Sequence, residues 1–201
     1  MGFGGHARSV ADVALRAGYS QLLFVDENAK DGEMFLEFPV RRFMPSEGSW
    51  LYMPCAGDNS LRLAQLRSLE FASLPVATIV SSTATIAPGT TIAPGCFIGH
   101  HAHVGPLTRL AAGCIINTGA IVEHDCTIGE GCHVSVHASV AGYCNLGDRV
   151  FLGVGSSVID RISIACDVTI GAGGVVIKSI VEPGVYAGVP VRLVSGFGKL
   201  S

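Results

Sequence analysis

The sequence has few charged and few aromatic residues. Of its 201 residues, 14% are charged and 7% are aromatic, whereas an ordinary globular protein carries about 25% charged residues. The formal net charge is -3 at pH 7, which provides no basic surface for a phosphate backbone and excludes nucleic acid as the main partner. The low charge also indicates something other than a standard helical core.

Long apolar runs are absent too. Mean hydropathy is high at +0.48, but no stretch reaches the ~18 apolar residues that a membrane span needs. The first residues lack the basic and apolar stretches of a signal peptide. We therefore expect a cytoplasmic protein whose seven cysteines are reduced thiols.

Glycine, in contrast, is abundant, and the sequence repeats. Glycine accounts for 26 residues, nearly twice the usual ~7%. An aliphatic residue recurs at every sixth position from Ile86 to Val176, and a mostly small residue stands two positions before each. This period fits a short strand followed by a tight turn, and three such units form a triangular coil whose successive turns pair as parallel strands ~4.8 Å apart. The repeat predicts a mainly β protein, a parallel β-helix of about five coils.

The same repeat accounts for most of the cysteines. Five of them occupy the inward small-residue position, where a free thiol packs as a small hydrophobe: Cys96, Cys114, Cys126, Cys132 and Cys144. Neither Cys55 nor Cys166 has a partner at metal-binding or C-x-x-C spacing. The pattern predicts buried thiols and no cysteine metal site.

Residues 1–80 have a different pattern, with alternating helices and strands. The predicted elements are a helix from Ser9 to Ala17, strands from Gln21 to Asp26 and from Trp50 to Pro54, a helix from Asn59 to Leu69, and a strand from Pro75 to Val80. Such alternation indicates a small Rossmann-like α/β domain with a parallel sheet. The β-helix then occupies residues 81–201, and the proline- and glycine-containing stretch 182–192 breaks the period and closes the open coil.

The glycine-rich start of the chain predicts a ligand site. Gly4 and Gly5 should cap the first helix, where backbone N–H groups can hold a phosphate. Ligands of parallel α/β sheets bind at the carboxyl ends of the strands. A strand would ordinarily precede such a glycine-rich turn, and we expect this first strand to be truncated.

Several segments together resemble a known family, and the resemblance covers almost the whole chain. They are Gly-Phe-Gly-Gly-His-Ala-Arg at 2–8, Phe-Val-Asp-Glu at 24–27, Gly-Asp-Asn at 57–59, Asn-Thr-Gly-Ala-Ile-Val-Glu-His-Asp at 117–125, and Gly-Val-Pro at 188–190. The chain resembles the bacterial sialic acid O-acetyltransferases and nucleotide-activated 4-amino-sugar N-acetyltransferases, which are hexapeptide-repeat sugar acyltransferases.

The resemblance implies a left-handed β-helix and an enzyme of bacterial surface glycan biosynthesis. It implies transfer of an acetyl group from acetyl-CoA to the amine of a nucleotide-linked 4-amino-sugar. The alternative acceptor is a hydroxyl of sialic acid or another sugar. Enzymes of this kind are homotrimers with active sites between subunits, and the flat faces of the predicted prism could bury the excess apolar surface in such a trimer.

Acetyl transfer needs a base for the attacking amine or hydroxyl and a donor for the developing oxyanion. His124 lies on a predicted coil corner between Glu123 and Asp125, one of which can orient the imidazole, and we predict it to be the base. Gly142 stands one coil higher at the same corner, so its N–H can face the thioester oxygen. The resemblance suggests that His133, predicted to face outward, positions the acetyl group or acceptor.

Two binding regions complete the predicted site. The acceptor would lie on the N-terminal domain, with the carboxylates near hydroxyls or ring N–H groups rather than phosphate; its candidate residues are Gly4, Gly5, His6, Asp26, Glu27, Asp58, Asn59 and Asn117. Coenzyme A would run toward the C-terminal coils, where cations and close backbone approach suit its phosphates. Its candidates are Gly153, Gly171, Gly173, Lys178, Gly188 and Arg192.

A metal site is the remaining alternative. His101 and His137 are two coils apart at one corner, and zinc-dependent carbonic anhydrases use the same fold. Catalytic zinc needs three ligands, and a glycine, Gly142, stands where a further ligand would be required. We expect no metal, although a zinc-dependent or non-catalytic β-helix protein stays open because a fold does not fix a function.

Overall fold

The computed structural model describes residues 1–194, beginning with a small α/β region at residues 1–78. Helix α1 (Gly5–Arg16) starts before the predicted Ser9, because Gly4 serves as its N-cap. Strand β1 (Phe24–Val25) pairs in parallel with β3 (Phe38–Arg41), and β2 (Met34–Phe35) pairs antiparallel with β3. Helix α2 (Asn59–Phe71) begins at the Asp58 N-cap, whose carboxylate accepts the Leu61 N–H.

The predicted strand from Trp50 to Pro54 is reduced to one parallel bridge between Tyr52 and Val76. The hairpin of β2 and β3 was not predicted.

The six-residue period forms seventeen short strands. They are β4 (Ile79–Val80), β5 (Thr85–Ile86), β6 (Thr91–Ile92), β7 (Phe97–Ile98), β8 (His103–Val104), β9 (Arg109–Leu110), β10 (Ile115–Ile116), β11 (Ile121–Val122), β12 (Thr127–Ile128), β13 (His133–Val134), β14 (Ser139–Val140), β15 (Asn145–Leu146), β16 (Phe151–Leu152), β17 (Ser157–Val158), β18 (Ser163–Ile164), β19 (Val168–Ile170) and β20 (Val175–Val176).

Every third strand pairs in parallel, so the strands form the three faces of a prism. The face that packs against the N-terminal region, called the covered face, consists of β4, β7, β10, β13, β16 and β19. The second face consists of β5, β8, β11, β14, β17 and β20, and the third face of β6, β9, β12, β15 and β18. Partners are eighteen residues apart, as Ile121 and Ser139 illustrate. The predicted β-helix is thereby confirmed.

Turns join the faces at three columns of corners. The first corner (99–102, 117–120, 135–138 and 153–156) joins the covered face to the second face. The second corner (105–108, 123–126, 141–144 and 159–162) joins the second face to the third, and the third corner (93–96, 111–114, 129–132 and 147–150) leads back to the covered face. These columns determine which side chains can meet.

The interior contains the predicted aliphatic residues together with small residues. All five repeat cysteines are buried, and each thiol donates to a backbone carbonyl one coil above; Cys96 Sγ, for example, donates to the Ala111 carbonyl at 3.2 Å. A hairpin of β21 (Gly184–Gly188) and β22 (Val191–Leu193) adds to β19 and covers the end of the coil stack. In the described part of the chain, no helix combines the length and hydropathy needed to cross a bilayer.

Helix α2 attaches the N-terminal region to the third corner. Leu63 and Leu66 pack on the corner glycines Gly113 and Gly131; a Cβ at Gly131, where φ is +63°, would lie 2.7 Å from Leu63. Glycine is therefore required there both for the left-handed turn and for the approach of the helix.

Candidate active site

His124 and Asp125 form a hydrogen-bonded pair on the second corner. The His124 Nδ1 lies 2.9 Å from a carboxylate oxygen of Asp125, and Asp125 adopts a left-handed φ of 56°, which Asp tolerates better than most residues. The carboxylate favours the tautomer with a proton on Nδ1, which leaves Nε2 free to accept one. Within residues 1–194, the Glu123 side chain makes no such hydrogen bond, so Asp125 is the orienting carboxylate.

The His124 ring lies directly against the backbone of Gly142. A Cβ on Gly142 would be 2.6 Å from His124 Cε1 and 2.7 Å from Nε2, so only glycine permits this ring position. The Tyr143 ring contacts the imidazole edge to face, with centroids 5.1 Å apart. The Arg161 guanidinium stacks on Tyr143 at 4.6 Å. The sequence analysis missed Tyr143 and Arg161, although they stand one and two coils after Asp125 in the same corner column.

A second part of the predicted site is a cleft of about 610 Å³ in the N-terminal region. Six of the eight predicted acceptor residues line it: Gly4, Gly5, His6, Asp26, Glu27 and Asp58. The first turn of α1 opens into this cleft, with no atom within 4 Å of where a Cβ of Gly4 or Gly5 would lie. Arg42 also lines the cleft and supplies a cation that the sequence analysis did not single out.

The carboxylates in the cleft already hold backbone groups. Asp26 accepts the N–H groups of Phe3 and Asn28, both at 2.9 Å, and so orients the glycine-rich start of the chain. Asn59 lies outside the cleft, where its amide donates to the Arg149 carbonyl at 3.0 Å. That contact links α2 to the β-helix.

His133 and Asn117 lie on the covered face and first corner, next to His6. His133 faces outward from the prism as predicted, but the N-terminal region covers it, and the residue is only 8% exposed. Its Nε2 lies 3.2 Å from the Asn117 amide nitrogen, while its Nδ1 and the His6 Nε2 are buried without a protein partner among the described residues. The two rings are 6.3 Å apart.

Both buried imidazoles favour the neutral form. The pKa of His133 is lowered to about 3, mainly by burial and further by the charges of Arg62 and His6. Burial, Arg62 and the N-terminal ammonium lower the pKa of His6 from 6.5 to about 4. Each ring can therefore serve as a neutral hydrogen-bonding group over the physiological pH range.

We expect these two histidines to make the fold sensitive to acid. The unfolded chain binds their protons near pH 6.5, whereas the folded chain does so only near pH 4 and 3, so the free energy of unfolding falls as the pH drops through that window. Thermal melting of the His133→Phe variant should show a smaller loss of Tm between pH 7 and pH 4 than the parent. The exposed His101→Phe is the control and should keep the parental slope; equal slopes in all three proteins would contradict the assignment.

Arg62 is an important residue that the sequence analysis did not identify. It is fully buried, and its guanidinium donates to the carbonyls of Ala56 at 3.0 Å, Gly113 at 2.7 Å and Gly131 at 2.7 Å. It also donates to the Asn59 side chain at 2.9 Å. Arg62 therefore holds the loop beside the cleft against two coils of the β-helix. A signal was present, because Arg62 falls on the same α2 stripe as the apolar Leu66 and Leu69.

The predicted coenzyme cations meet in a groove at the C-terminal end. Lys178 and Arg192 both line this cavity of about 460 Å³, while Gly188 belongs to the adjacent hairpin. The other predicted glycines, Gly153, Gly171 and Gly173, lie on the first corner column. Among residues 1–194, no three His, Cys, Asp or Glu side chains are grouped to hold a metal ion.

Comparisons with known proteins show a family match for the N-terminal region and similar solved structures for nearly the whole chain. The family described as PglD N-terminal domain matches residues 1–68. A histidine-to-alanine mutant of GDP-perosamine N-acetyltransferase from Caulobacter crescentus, solved with CoA and GDP-perosamine, is 28% identical, with a TM-score of 0.91 over 97% of this chain and 95% of that chain. No curated protein sequence is similar enough to count as a match.

A second solved structure that is similar to this chain contains acetyl coenzyme A. The acetyltransferase domain of PglB from Neisseria gonorrhoeae, in complex with acetyl coenzyme A, is 26% identical, with a TM-score of 0.90 over 96% of each chain. The resemblance to hexapeptide-repeat sugar acyltransferases is thus confirmed over nearly the whole length.

Proposed function

We propose that this chain, a hexapeptide-repeat sugar acyltransferase with a PglD-type N-terminal region, transfers the acetyl group of acetyl-CoA to the amine of a nucleotide-linked 4-amino-sugar. The single observation that carries the proposal is the pairing of His124 with Asp125 against the bare backbone of Gly142. The relatives that bind acetyl coenzyme A and GDP-perosamine support the same chemistry and the predicted role in glycan biosynthesis.

His124 is the proposed general base. Its Nε2 takes a proton from the sugar amine as nitrogen attacks the thioester carbon, and Asp125 stabilises the imidazolium that forms. Gly142 presents its backbone N–H beside the ring, where it can donate to the thioester oxygen as negative charge develops. Collapse of the tetrahedral intermediate then breaks the C–S bond, and the proton on His124 passes to the departing thiolate, which leaves as coenzyme A.

The second corner offers a path for the coenzyme. Lys178 lies three coils above His124 in the same column, a rise of roughly 14 Å at one strand spacing per coil. An extended pantetheine arm along this column would bring the thioester to His124 and the phosphates to Lys178 and Arg192 in the C-terminal groove. Acetyl-CoA is therefore the proposed co-substrate, without a metal.

The acceptor would occupy the N-terminal cleft. The first turn of α1 is suited to the diphosphate, since helix N-termini attract anions, and Glu27 and Asp58 are placed for hydroxyls or base N–H groups. The neutral His6 lines the cleft next to the buried His133 on the side of the β-helix and can contact the sugar.

The complete site requires a second copy of the chain. His124 lies on the second corner, whereas the cleft adjoins the covered face and first corner, so the whole second face separates them within one chain. A closed homotrimer, in which the second corner of one copy meets the first corner of the next, would bring the two halves together. The predicted cytoplasmic location belongs to the same proposal, because both proposed substrates are made there.

The function is tested by following acetyl transfer with mass spectrometry. Acetyl-CoA is offered with a panel of nucleotide-linked 4-amino-sugars, the matching free amino sugars, and sialic acid. We expect turnover only with the nucleotide-linked amines. Acetylation of a sugar hydroxyl instead would favour the O-acetyltransferase alternative.

Gly142→Ala should disable the proposed base without unfolding the protein. The new Cβ would overlap the His124 ring, and a displacement of the order of 1 Å can lower the rate ~10²-fold. Steady-state kcat is the measurement, and the matched control is the double variant with His124→Ala. If Gly142 acts through the ring position, the double variant is no slower than His124→Ala alone.

Asp26→Ala should raise KM for the sugar nucleotide by ~10-fold or more, because the start of the chain loses the hydrogen bond of the Phe3 N–H to a charged group. KM for acetyl-CoA should stay nearly unchanged. Glu33→Ala is the control, since Glu33 also holds a turn, by accepting the Lys30 N–H, but lies outside the cleft. Calorimetry with uridine, guanosine and thymidine diphosphates gives an independent readout; binding of none of them would remove the nucleotide from the proposal.

A further inference from the structure

Three side chains are stacked above one another on the second corner. Asp125, Tyr143 and Arg161 stand eighteen residues apart, and their backbones share a left-handed φ of 56°, 59° and 59°. Because equal backbone conformations in successive coils direct their side chains the same way, the three side chains form a column beside His124. Asp125 is the lowest member of this column and already holds the His124 ring.

The column is fixed through its backbone at the level of the proposed base. The Tyr143 N–H donates to the His124 carbonyl at 3.0 Å, and the Arg161 N–H donates to the Gly142 carbonyl at 2.9 Å. The Gly142 carbonyl and the Tyr143 N–H belong to one peptide unit, which is therefore held from both sides. The Tyr143 side chain thus starts from a fixed position relative to His124.

The Tyr143 ring limits the movement of the imidazole. The His124 side chain is 44% exposed, and the second torsion of a histidine side chain is broad, so the hydrogen bond to Asp125 alone leaves the ring free to swing about Nδ1. The Tyr143 ring stands at 89° to the imidazole, with centroids 5.1 Å apart, which is the favourable edge-to-face geometry. Together with the Gly142 backbone, it restricts the swing that Asp125 permits.

Arg161 keeps the tyrosine ring in that place. Its guanidinium lies 4.6 Å from the centroid of the Tyr143 ring, within the range of a cation–π contact. The Arg161 Nε is also 3.6 Å from a carboxylate oxygen of the neighbouring Asp160, which orients the guanidinium. Both contacts of Tyr143 use its ring rather than its hydroxyl.

We propose that Tyr143, held by Arg161, is a positioning residue for the general base, an inference that rests on the proposed function. The two side chains keep the His124 ring in the plane in which Nδ1 donates to Asp125 and Nε2 is presented to the attacking amine. In this role Tyr143 touches neither the substrates nor the reacting atoms and acts only through the imidazole.

Steady-state kinetics of the whole chain provide the first test. We expect Tyr143→Ala to lower kcat ~10- to 100-fold, since a displacement of the order of 1 Å can lower the rate ~10²-fold, and to leave KM for both substrates near the parental values. Tyr143→Phe keeps the ring and should retain the parental kcat. If the alanine variant does not fold, Tyr143→Leu, which removes the ring but keeps an apolar side chain, gives the same comparison.

Leu107→Ala is the matched control. Leu107 stands one coil below Asp125 with the same left-handed backbone, at a φ of 61°, but its side chain packs against Gly89. This variant should retain the parental kcat. A loss equal to that of Tyr143→Ala would mean that any truncation in the column disturbs the corner, and it would overturn the specific role of Tyr143.

Arg161 is tested through its dependence on Tyr143. Arg161→Ala should lower kcat ~3-fold, the order expected for an exposed cation–π contact, and the double variant with Tyr143→Ala should be no slower than Tyr143→Ala alone. A raised KM for acetyl-CoA with kcat unchanged would mean that the guanidinium binds the coenzyme instead. Equal losses in Tyr143→Phe and Tyr143→Ala would assign the effect to the hydroxyl and overturn the positioning role.

A second readout does not depend on turnover. Nitrogen NMR of histidine-labelled protein at mildly alkaline pH shows which ring nitrogen carries the proton, and the His124 signals are identified by their loss in His124→Ala. We expect the Nδ1–H form in the parent and in Tyr143→Phe, and a mixture of both tautomers in Tyr143→Ala, where the ring can leave Asp125. A parental spectrum in Tyr143→Ala would overturn the positioning role. Absence of acetyl transfer by the parent with every acceptor would overturn the proposed function and leave the NMR result to decide the position of the ring.

Discussion

Replacement of His124 by alanine is expected to lower kcat by ~10²–10⁴, the range for loss of a general base, while the fold survives. The side chain lies on a corner, is 44% exposed and contributes nothing to the interior of the β-helix. Its loss would remove the proposed acceptor for the amine proton and leave the Gly142 N–H in place. KM for acetyl-CoA should change much less than kcat, because the proposed site for the coenzyme phosphates lies three coils away.

His101→Ala is the matched control, since His101 is also a corner histidine with an exposed side chain. It should keep the parental rate. Size-exclusion chromatography with light scattering shows whether both variants keep the parental assembly. A folded His124→Ala protein that works at the parental rate would mean that another group is the base.

Val134→Asp is expected to abolish folding. Val134 is fully buried between neighbouring coils, and an unpaired carboxylate there costs several kcal/mol, a large part of the ~5–15 kcal/mol by which a domain is stable. Every interior position is stacked on equivalents eighteen residues away, so the charge would face apolar side chains above and below. Expression in soluble form and far-UV circular dichroism provide the measurement.

Thr127→Asp is the control, because it places the same charge at an outward-facing position of the repeat. Thr127 precedes the inward Ile128 on β12 and is exposed, so the same new charge at this position should leave the melting curve within a few degrees of the parent. A soluble, cooperatively melting Val134→Asp protein would contradict the register.

The β-helix could be predicted because its interactions are local and periodic. The interior positions from Ile98 to Val176 follow from the six-residue repeat, and the cysteine positions follow from the same register. The second-corner geometry follows as well, since His124 and Gly142 differ by one coil. The choice of Asp125 over Glu123 as orienting carboxylate required coordinates, and so did the contacts of Tyr143 and Arg161.

The N-terminal region was less predictable because its contacts are non-local. The short β2–β3 hairpin includes Pro39 and has no clear alternation, so nothing in the pattern separated it from a loop. His133 was predicted to face outward and does, but its burial depends on how the N-terminal region packs on the covered face. Packing of one region of a chain on another produces no periodic pattern in the sequence.

The hydrogen bonds of Arg62 limit where this chain can be joined to a relative in a chimeric protein. Its guanidinium is satisfied by carbonyls of residues on both sides of the apparent boundary, Ala56 before it and Gly113 and Gly131 after it. A chimera joined near residue 80 would bring a buried cation to foreign coils whose carbonyls are not aligned to receive it, and an uncompensated buried charge is strongly destabilising. The exchangeable unit is therefore the N-terminal region together with the coils that carry Gly113 and Gly131, and exchanging the first 80 residues alone would leave Arg62 without its carbonyl partners.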